Sequence, residues 1–495
     1  MITCARRRFS SALLAALTLA VATPGRGEDV KLVDVVPRFQ SGETTTDSEP
    51  NVAVDPANPH HIVVSAFTPC PPMISTVFAP IYFSTDGGDS WHLNCIVPGN
   101  NAAFGTGDIT IRFAGHTGVL YAGTLNGSSF LELNVLRTAN FAAPTPMTLL
   151  VSRSREDQPY TQAYEEHGSD HVFIGNNNLL KSTLLGGTGG QTASEDLSQD
   201  AASAAPPAGF GTDLLEERPT CGQDLPPVRT AIHDDGTVYL AYFRNEVGSP
   251  CFSGSNTADL VVARDDHWGT GGFKALTDAG DGKPGVRVAS GLNITWLQNL
   301  GTERVGAQLS IAVDPKDRKT VYVAWGDGLD PANFTLHVRS SNDGGLTWSP
   351  SDLKTVVSAT NPALAINREG TVGFLYQKLV NPGTCQGGGP GIACWETHFE
   401  QHRHHAWKDL AQPLANVPDN VSNYLTLGDY NHVLAVGETF HGAFSANNYP
   451  DKKNFHPAVK FHRHVDWVTH KLFADAAHTV PVSPSVDPFY FKVSD

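Results

Sequence analysis

The chain lacks a long apolar run beyond its N-terminus, a basic run beyond its first residues, a C-x-x-C pair and a Gly-x-Ser-x-Gly string. Each gap closes off a class of function. Without about 18 consecutive apolar residues there is no helical membrane span. Lys+Arg number 34 against 50 Asp+Glu, a formal charge of −16, and such a surface repels phosphate backbones, because nucleic-acid affinity rests on cations that neutralise them. The missing C-x-x-C spacing argues against a structural zinc site, and the missing nucleophile elbow against an α/β-hydrolase. Charged residues make up only 17% of the chain while Gly (47) and Pro (33) abound, the composition of a turn-dense β-protein rather than a disordered one.

What is present begins with an export signal. Arg6, Arg7 and Arg8 precede an apolar stretch from Ala12 to Ala22 that closes on small residues, the layout of a signal peptide over 1–22, with cleavage as late as 27. A signal anchor is the alternative. The remainder, 28–495, reads as one domain, secreted or periplasmic. Removing Cys4 leaves six cysteines in three local couples, Cys70 with Cys95, Cys221 with Cys251 and Cys385 with Cys394. An even count in an exported chain points to disulfides.

Ser84-Thr85-Asp86-Gly87-Gly88-Asp89-Ser90-Trp91 returns as Ser341-Asn342-Asp343-Gly344-Gly345-Leu346-Thr347-Trp348, each time after an apolar run. The Gly pair supplies left-handed turn positions, the Asp accepts hydrogen bonds from the turn's own N–H groups, and the Trp folds back over it. Both segments resemble the Asp box, Ser-x-Asp-x-Gly-x-Thr-Trp, of the sialidase-like β-propellers; the first departs once, with Ser90 where Thr is usual. The resemblance implies an all-β propeller in which the box is a structural turn between outer strands, away from the substrate pocket. Degenerate copies are expected at Arg264–Trp268, His402–Trp407 and His462–Trp467.

A second pattern counts the repeats. Residues 49–67 match 308–325 as an apolar strand, a turn and a second apolar strand, and weaker copies begin near Asp108, Gln158, Val228, Asn361 and Asp429. Their spacing, roughly 50 to 80 residues, suits four-stranded blades. Seven blades are expected, with six the alternative, since classical sialidase domains have six. Val30–Phe39 and Pro488–Val493 are candidates for closing the ring through a shared blade. The Gly/Ala/Ser-rich stretch Gly186–Gly211 reads as a surface excursion from the third blade.

Aligning the repeats puts Glu49, Asp108, Gln158, Gln308, Asn361 and Asp429 at the entries of innermost strands. Six acidic or amide side chains at a channel mouth suit water, a structural Ca²⁺ or sugar hydroxyls. Sialidases clamp a carboxylate with arginines and use a Tyr–Glu pair and an Asp. The resemblance therefore nominates Asp108, Glu217, Arg218, Arg229, Arg304, Asp429 and Tyr430 as catalytic, although the family's Phe/Tyr-Arg-Ile-Pro motif is absent. Alternation of His398, His402 and His404 would gather three imidazoles on one strand face, but solvated surface is the expectation and no metal site is assigned. The resulting expectation is an exported, monomeric propeller that binds glycans or glycoconjugates, or cleaves them as an exo-glycosidase. A non-catalytic carbohydrate- or protein-binding scaffold is the alternative.

Overall fold

The computed structural model describes residue 1 and residues 29–98, 107–126, 131–178, 193–203, 209–214, 228–245, 255–295, 298–306, 308–328, 330, 333–419 and 427–494. The leader beyond Met1, Glu217, Arg218 and the Cys221–Cys251 couple lie outside those residues. Strands dominate, and among the described residues there is no α-helix, so no helix is long and apolar enough to cross a membrane.

Six antiparallel sheets follow one another along the chain, and their first strands are Asn51–Val54, Ile109–Phe113, Glu156–Glu166, Arg229–Ile232, Leu309–Asp314 and Ala359–Ile366. Each is paired in order with the strands that follow it. A seventh sheet starts with His432–Val436 and Thr439–Asn447, then takes Val486–Ser494 and finally the N-terminal Asp29–Asp34. Neighbouring first strands touch one another along the chain, and His432–Val436 touches Asn51–Val54.

The apolar runs are continuous because each sheet is covered on both faces. In the fourth sheet Val238, Leu240 and Tyr242 pack against the third, while Tyr239, Ala241 and Phe243 pack against the fifth. This is the period of two that a strand imposes. Fully burying each large apolar side chain contributes about 1.5–3 kcal/mol, so the inter-sheet layers are where the sheets are held together.

Both turns that resemble the Asp box join a third strand to a fourth. Asp343 Oδ1 accepts from Thr347 N (2.9 Å) and Oδ2 from the Thr347 hydroxyl (2.5 Å), while Ser341 Oγ accepts from Gly345 N (2.8 Å). Asp86, Ser90, Ser84 and Gly88 repeat the pattern. Gly87, Gly88, Gly344 and Gly345 all have positive φ. Trp91 is buried against Tyr490 (5.3 Å between centroids), and Trp348 packs on the core between the fourth and fifth sheets.

The seventh sheet is built from both ends of the chain: Leu32 pairs with Phe491 and Phe444 with Phe489. At its outer side Arg463, fully buried, donates to Asp487 Oδ2 (2.5 Å) and to the Glu43 carbonyl (3.0 Å), with Asp34 Oδ2 at 3.8 Å. Four carboxyls, those of Asp34, Glu43, Asp47 and Asp487, act on this one guanidinium. Burial first, and mutual repulsion next, push Asp34, Glu43 and Asp47 above the usual carboxylate range.

Three sequence expectations change. The stretch 186–211 is not all excursion, because Ala193–Ser198 is the third strand of the third sheet and Gly211–Leu214 begins its fourth; its Glu195 and Asp196 are buried. Polar composition hid a strand whose acids are satisfied by neighbouring strands, Thr230 Oγ1 donating to Glu195 at 3.1 Å. His462–Trp467 does not occupy a third-to-fourth turn, because the C-terminal and N-terminal strands fill those places; it follows Val459–Phe461, which pairs in parallel with Asp29–Asp34, and its His464–Asp466 pairs with Lys471–Phe473 in a separate sheet. The three histidines do not share a face. His398 is hydrogen-bonded to Glu396 and Asp409, His402 packs on Trp407, and His404 sits in the hairpin turn with positive φ.

Candidate functional site

The site stands where the first strands begin. Glu49, Gln158 and Asn361 each adopt a positive φ and each precedes a proline, Pro50, Pro159 and Pro362. The strands bulge at Asp157/Tyr160 and at Thr360/Ala363. A left-handed non-glycine residue is a strained choice held by its surroundings, and it re-aims the side chain out of the ladder.

Asp429 is the hub of the resulting cluster. Its carboxylate takes both Nε (3.0 Å) and Nη2 of Arg304, and Gln158 Nε2 lies 3.4 Å from Oδ2. Its own backbone N–H donates to Glu49 Oε1 at 3.1 Å. Glu49 is buried, its Oε2 has no hydrogen-bond partner among the described residues, and the carboxyl of Asp108 lies close enough to act on it. Burial, with the nearby charges of Asp108 and Asp429, holds Glu49 well above the usual range and so favours its protonated form. A proton donor and an ion-paired carboxylate therefore stand side by side.

Tyr430 lies next to them. Its hydroxyl is enclosed and has no hydrogen-bond partner among the described residues. Burial, then Asp108 and Glu49, push the phenol up, while Arg229 opposes them. Arg229 is itself buried and sits over the Tyr160 ring, 4.8 Å from its centroid. The cavity at this level, lined by Arg229, Asp429, Tyr430, Gln308 and Asn361, is about 20 Å³, the room of a single water.

Gln308 and Asn361 are at the mouth but spent on structure. Gln308 donates to Asn361 Oδ1 (3.0 Å) and accepts from Asn361 N (2.8 Å), while Asn361 Nδ2 reaches Gly428 O (3.1 Å). They lock the strand entries, including the segment that carries Asp429. Among the described residues, no group of three or more His, Cys, Asp or Glu side chains is arranged to hold a metal ion.

The sequence did not single out Glu303. A short hairpin, Gln298–Leu300 with Glu303–Val305, delivers Arg304 to Asp429 and buries Glu303 beside it. Glu303 Oε2 accepts from Leu427 N at 2.7 Å, Oε1 has no partner among the described residues, and burial followed by Asp429 raises the group well above the usual range. Three further inner-strand residues were passed over: Arg112, Tyr160 and His432. All lie inside repeats that were correctly located, and their alternation with apolar residues was the available signal.

Among solved structures the chain is similar to an α-L-arabinanase of Penicillium chrysogenum complexed with arabinobiose, at 12% identity and a TM-score of 0.42, over 71% of this chain and 94% of that one. It is also similar to a mutant AofleA from Arthrobotrys oligospora (13%, TM-score 0.38, 78% and 89% covered). A third is the SapL1 lectin in complex with α-methyl fucoside (8%, TM-score 0.37, 75% and 98% covered). Likenesses this distant carry no inference about chemistry. No family model and no curated protein matches the sequence.

Proposed function

We propose that this chain is an exported, sialidase-like, seven-bladed propeller that engages glycans at its channel mouth and hydrolyses a glycosidic bond there. The observation that carries the reading is the buried Glu49 set beside Asp108, the Arg304–Asp429 ion pair and the unsatisfied Tyr430 hydroxyl. Neighbouring carboxyls driven to different protonation states are what glycoside cleavage requires. The donor of the pair protonates the departing oxygen. Its partner carboxylate assists attack by the Tyr430 hydroxyl or by a water in the small cavity, and Arg304 and Arg229 offset the charge that collects. The disulfides Cys70–Cys95 and Cys385–Cys394 are compatible with an extracellular setting.

A panel of chromogenic glycosides, beginning with an α-sialoside, tests this reading. Turnover that falls by at least about two orders of magnitude in Asp108→Asn, Tyr430→Phe or Arg304→Lys supports it. One observation favours a second reading, a non-catalytic glycan-binding module: the mouth cavity has room for one water and Arg304 is already engaged by Asp429. A sugar that binds without being cleaved, and is displaced by the same substitutions, would favour that module.

A further inference from the structure

Beyond the mouth, deeper along the inner strands, lies a cavity of about 300 Å³ lined by Arg112, Tyr160, Thr230, His233, Asp234 and His432 among others. Arg112 is the anomaly. Its Nη1 is sealed from solvent and finds no hydrogen-bond acceptor among the described residues. The side chain as a whole is half-buried, but a guanidinium cannot shed its proton, so an enclosed guanidinium nitrogen normally has a carboxylate, a carbonyl or an anion against it.

The neighbour that faces the same space is also a donor. His432 is almost wholly buried, and its Nδ1 lies 3.4 Å from Val52 N, which donates to it. An imidazole whose Nδ1 accepts carries its proton on Nε2. Burial first, then the Arg112 charge, lowers its pKa to about 3, so the ring is neutral and stays in that tautomer across the physiological range. Tyr160 stands beside it, edge to face at 6.2 Å between centroids, with Arg229 over its ring. The Thr230 hydroxyl is committed to Glu195 and His233 Nδ1 to Asp235 at 2.8 Å. The one carboxylate on the lining, Asp234, is largely exposed and lies 3.1 Å from His233 Nδ1.

We propose that this inner cavity is a binding site for a small oxyanion, held by the Arg112 guanidinium and the His432 Nε2–H. The chemistry is shared by carboxylates and by inorganic phosphate or sulfate: two or more oxygens able to accept from a planar fork and a ring N–H. The cavity adjoins the mouth cavity, with Tyr160 and His432 lining both, and the proposal does not rest on the glycan reading. A planar carboxylate matches the guanidinium fork, and a tetrahedral anion places a further oxygen towards His432.

The test uses the mature chain in buffer of constant ionic strength, with chloride replaced in turn by acetate, phosphate or sulfate, and follows Tm and binding heat. The expected result is a saturable rise in Tm with at least one of the three, weakened at least about tenfold in Arg112→Gln, the scale of a charged hydrogen bond, and unchanged in the mouth variant Tyr430→Phe. Acetate against phosphate or sulfate identifies the anion type. A general salting effect appears equally in Arg112→Gln and would overturn the proposal. Should Arg112→Gln fail to fold, His432→Phe and a crystal structure of the parent grown with the responding anion decide. An anion on Arg112 supports the site, whereas water alone, or a carboxylate of the chain itself on Arg112, refutes it.

Discussion

Asp343 and Asp86 use their carboxylates inside their own turns, and that inward use explains why two well-matched motifs say so little about chemistry. Trp91, buried against Tyr490, is the more costly residue to lose. Trp91→Ala should destabilise the protein by about 3–5 kcal/mol, the usual cost of truncating a buried aromatic, while ligand affinity of the folded fraction stays unchanged; urea unfolding and a binding assay on the same preparation check this. His337 and His398 make a second residue-scale prediction. Each ring is gripped on both nitrogens, His337 by Asp327 (3.0 Å) and Asp352 (2.8 Å), His398 by Glu396 (2.9 Å) and Asp409 (2.7 Å). Burial disfavours the charged rings, but the paired carboxylates outweigh it and both pKa values are raised. A raised histidine contributes stability that is complete below its unfolded value of about 6.5 and is lost as pH rises through the folded value. His398→Gln should therefore flatten the fall in unfolding free energy between pH 6 and 9, and an unchanged slope would refute the assignment.

Strands were legible where burial on both faces wrote a continuous apolar run, as in Val63 and Val64 or in Tyr239, Leu240 and Ala241. They were illegible where polar groups satisfy one another, as in Ala193–Ser198, where Glu195 accepts from Thr230 of the fourth sheet and Asp196 from Asn176 on the neighbouring strand. The mouth residues Glu49, Asp108 and Asp429 could be placed from the repeat phase alone. Glu303 could not, because its hairpin lies outside the repeat and its burial depends on Leu427, which is distant in sequence. The covalent staples belong to this level as well. Cys70–Cys95 and Cys385–Cys394 span separations of 25 and 9 residues, and each should contribute about 2–4 kcal/mol by restricting the unfolded chain. Non-reducing peptide mapping should recover both pairs, and a free thiol at any of the four positions would contradict the pairing.

Asp29–Asp34 and Val486–Ser494, far apart in sequence, meet in one sheet beside one buried guanidinium. Arg463→Met should cost about 3–5 kcal/mol, because it leaves Asp34, Glu43, Asp47 and Asp487 buried without their shared cation. The raised carboxyls of this cluster, together with Glu49 and Glu303, bind protons in the fold that the unfolded chain releases near pH 4. Their contribution to stability is complete below that value and is lost as pH rises through the folded values. The parent is therefore expected to unfold at lower urea concentration at pH 8 than at pH 5.

The same proton accounting bears on function, since Glu49, held in its protonated form beside Asp108, would supply the proton in the proposed reaction. Glycoside turnover of the parent and of Asp108→Asn, with unfolding midpoints measured alongside, gives the decisive comparison. The substitution keeps the shape of the side chain and removes its capacity to act as a carboxylate. Turnover should fall by at least about two orders of magnitude with the fold intact. Full activity in folded Asp108→Asn, on a substrate the parent cleaves, would show that the channel-mouth carboxyls do not carry the reaction.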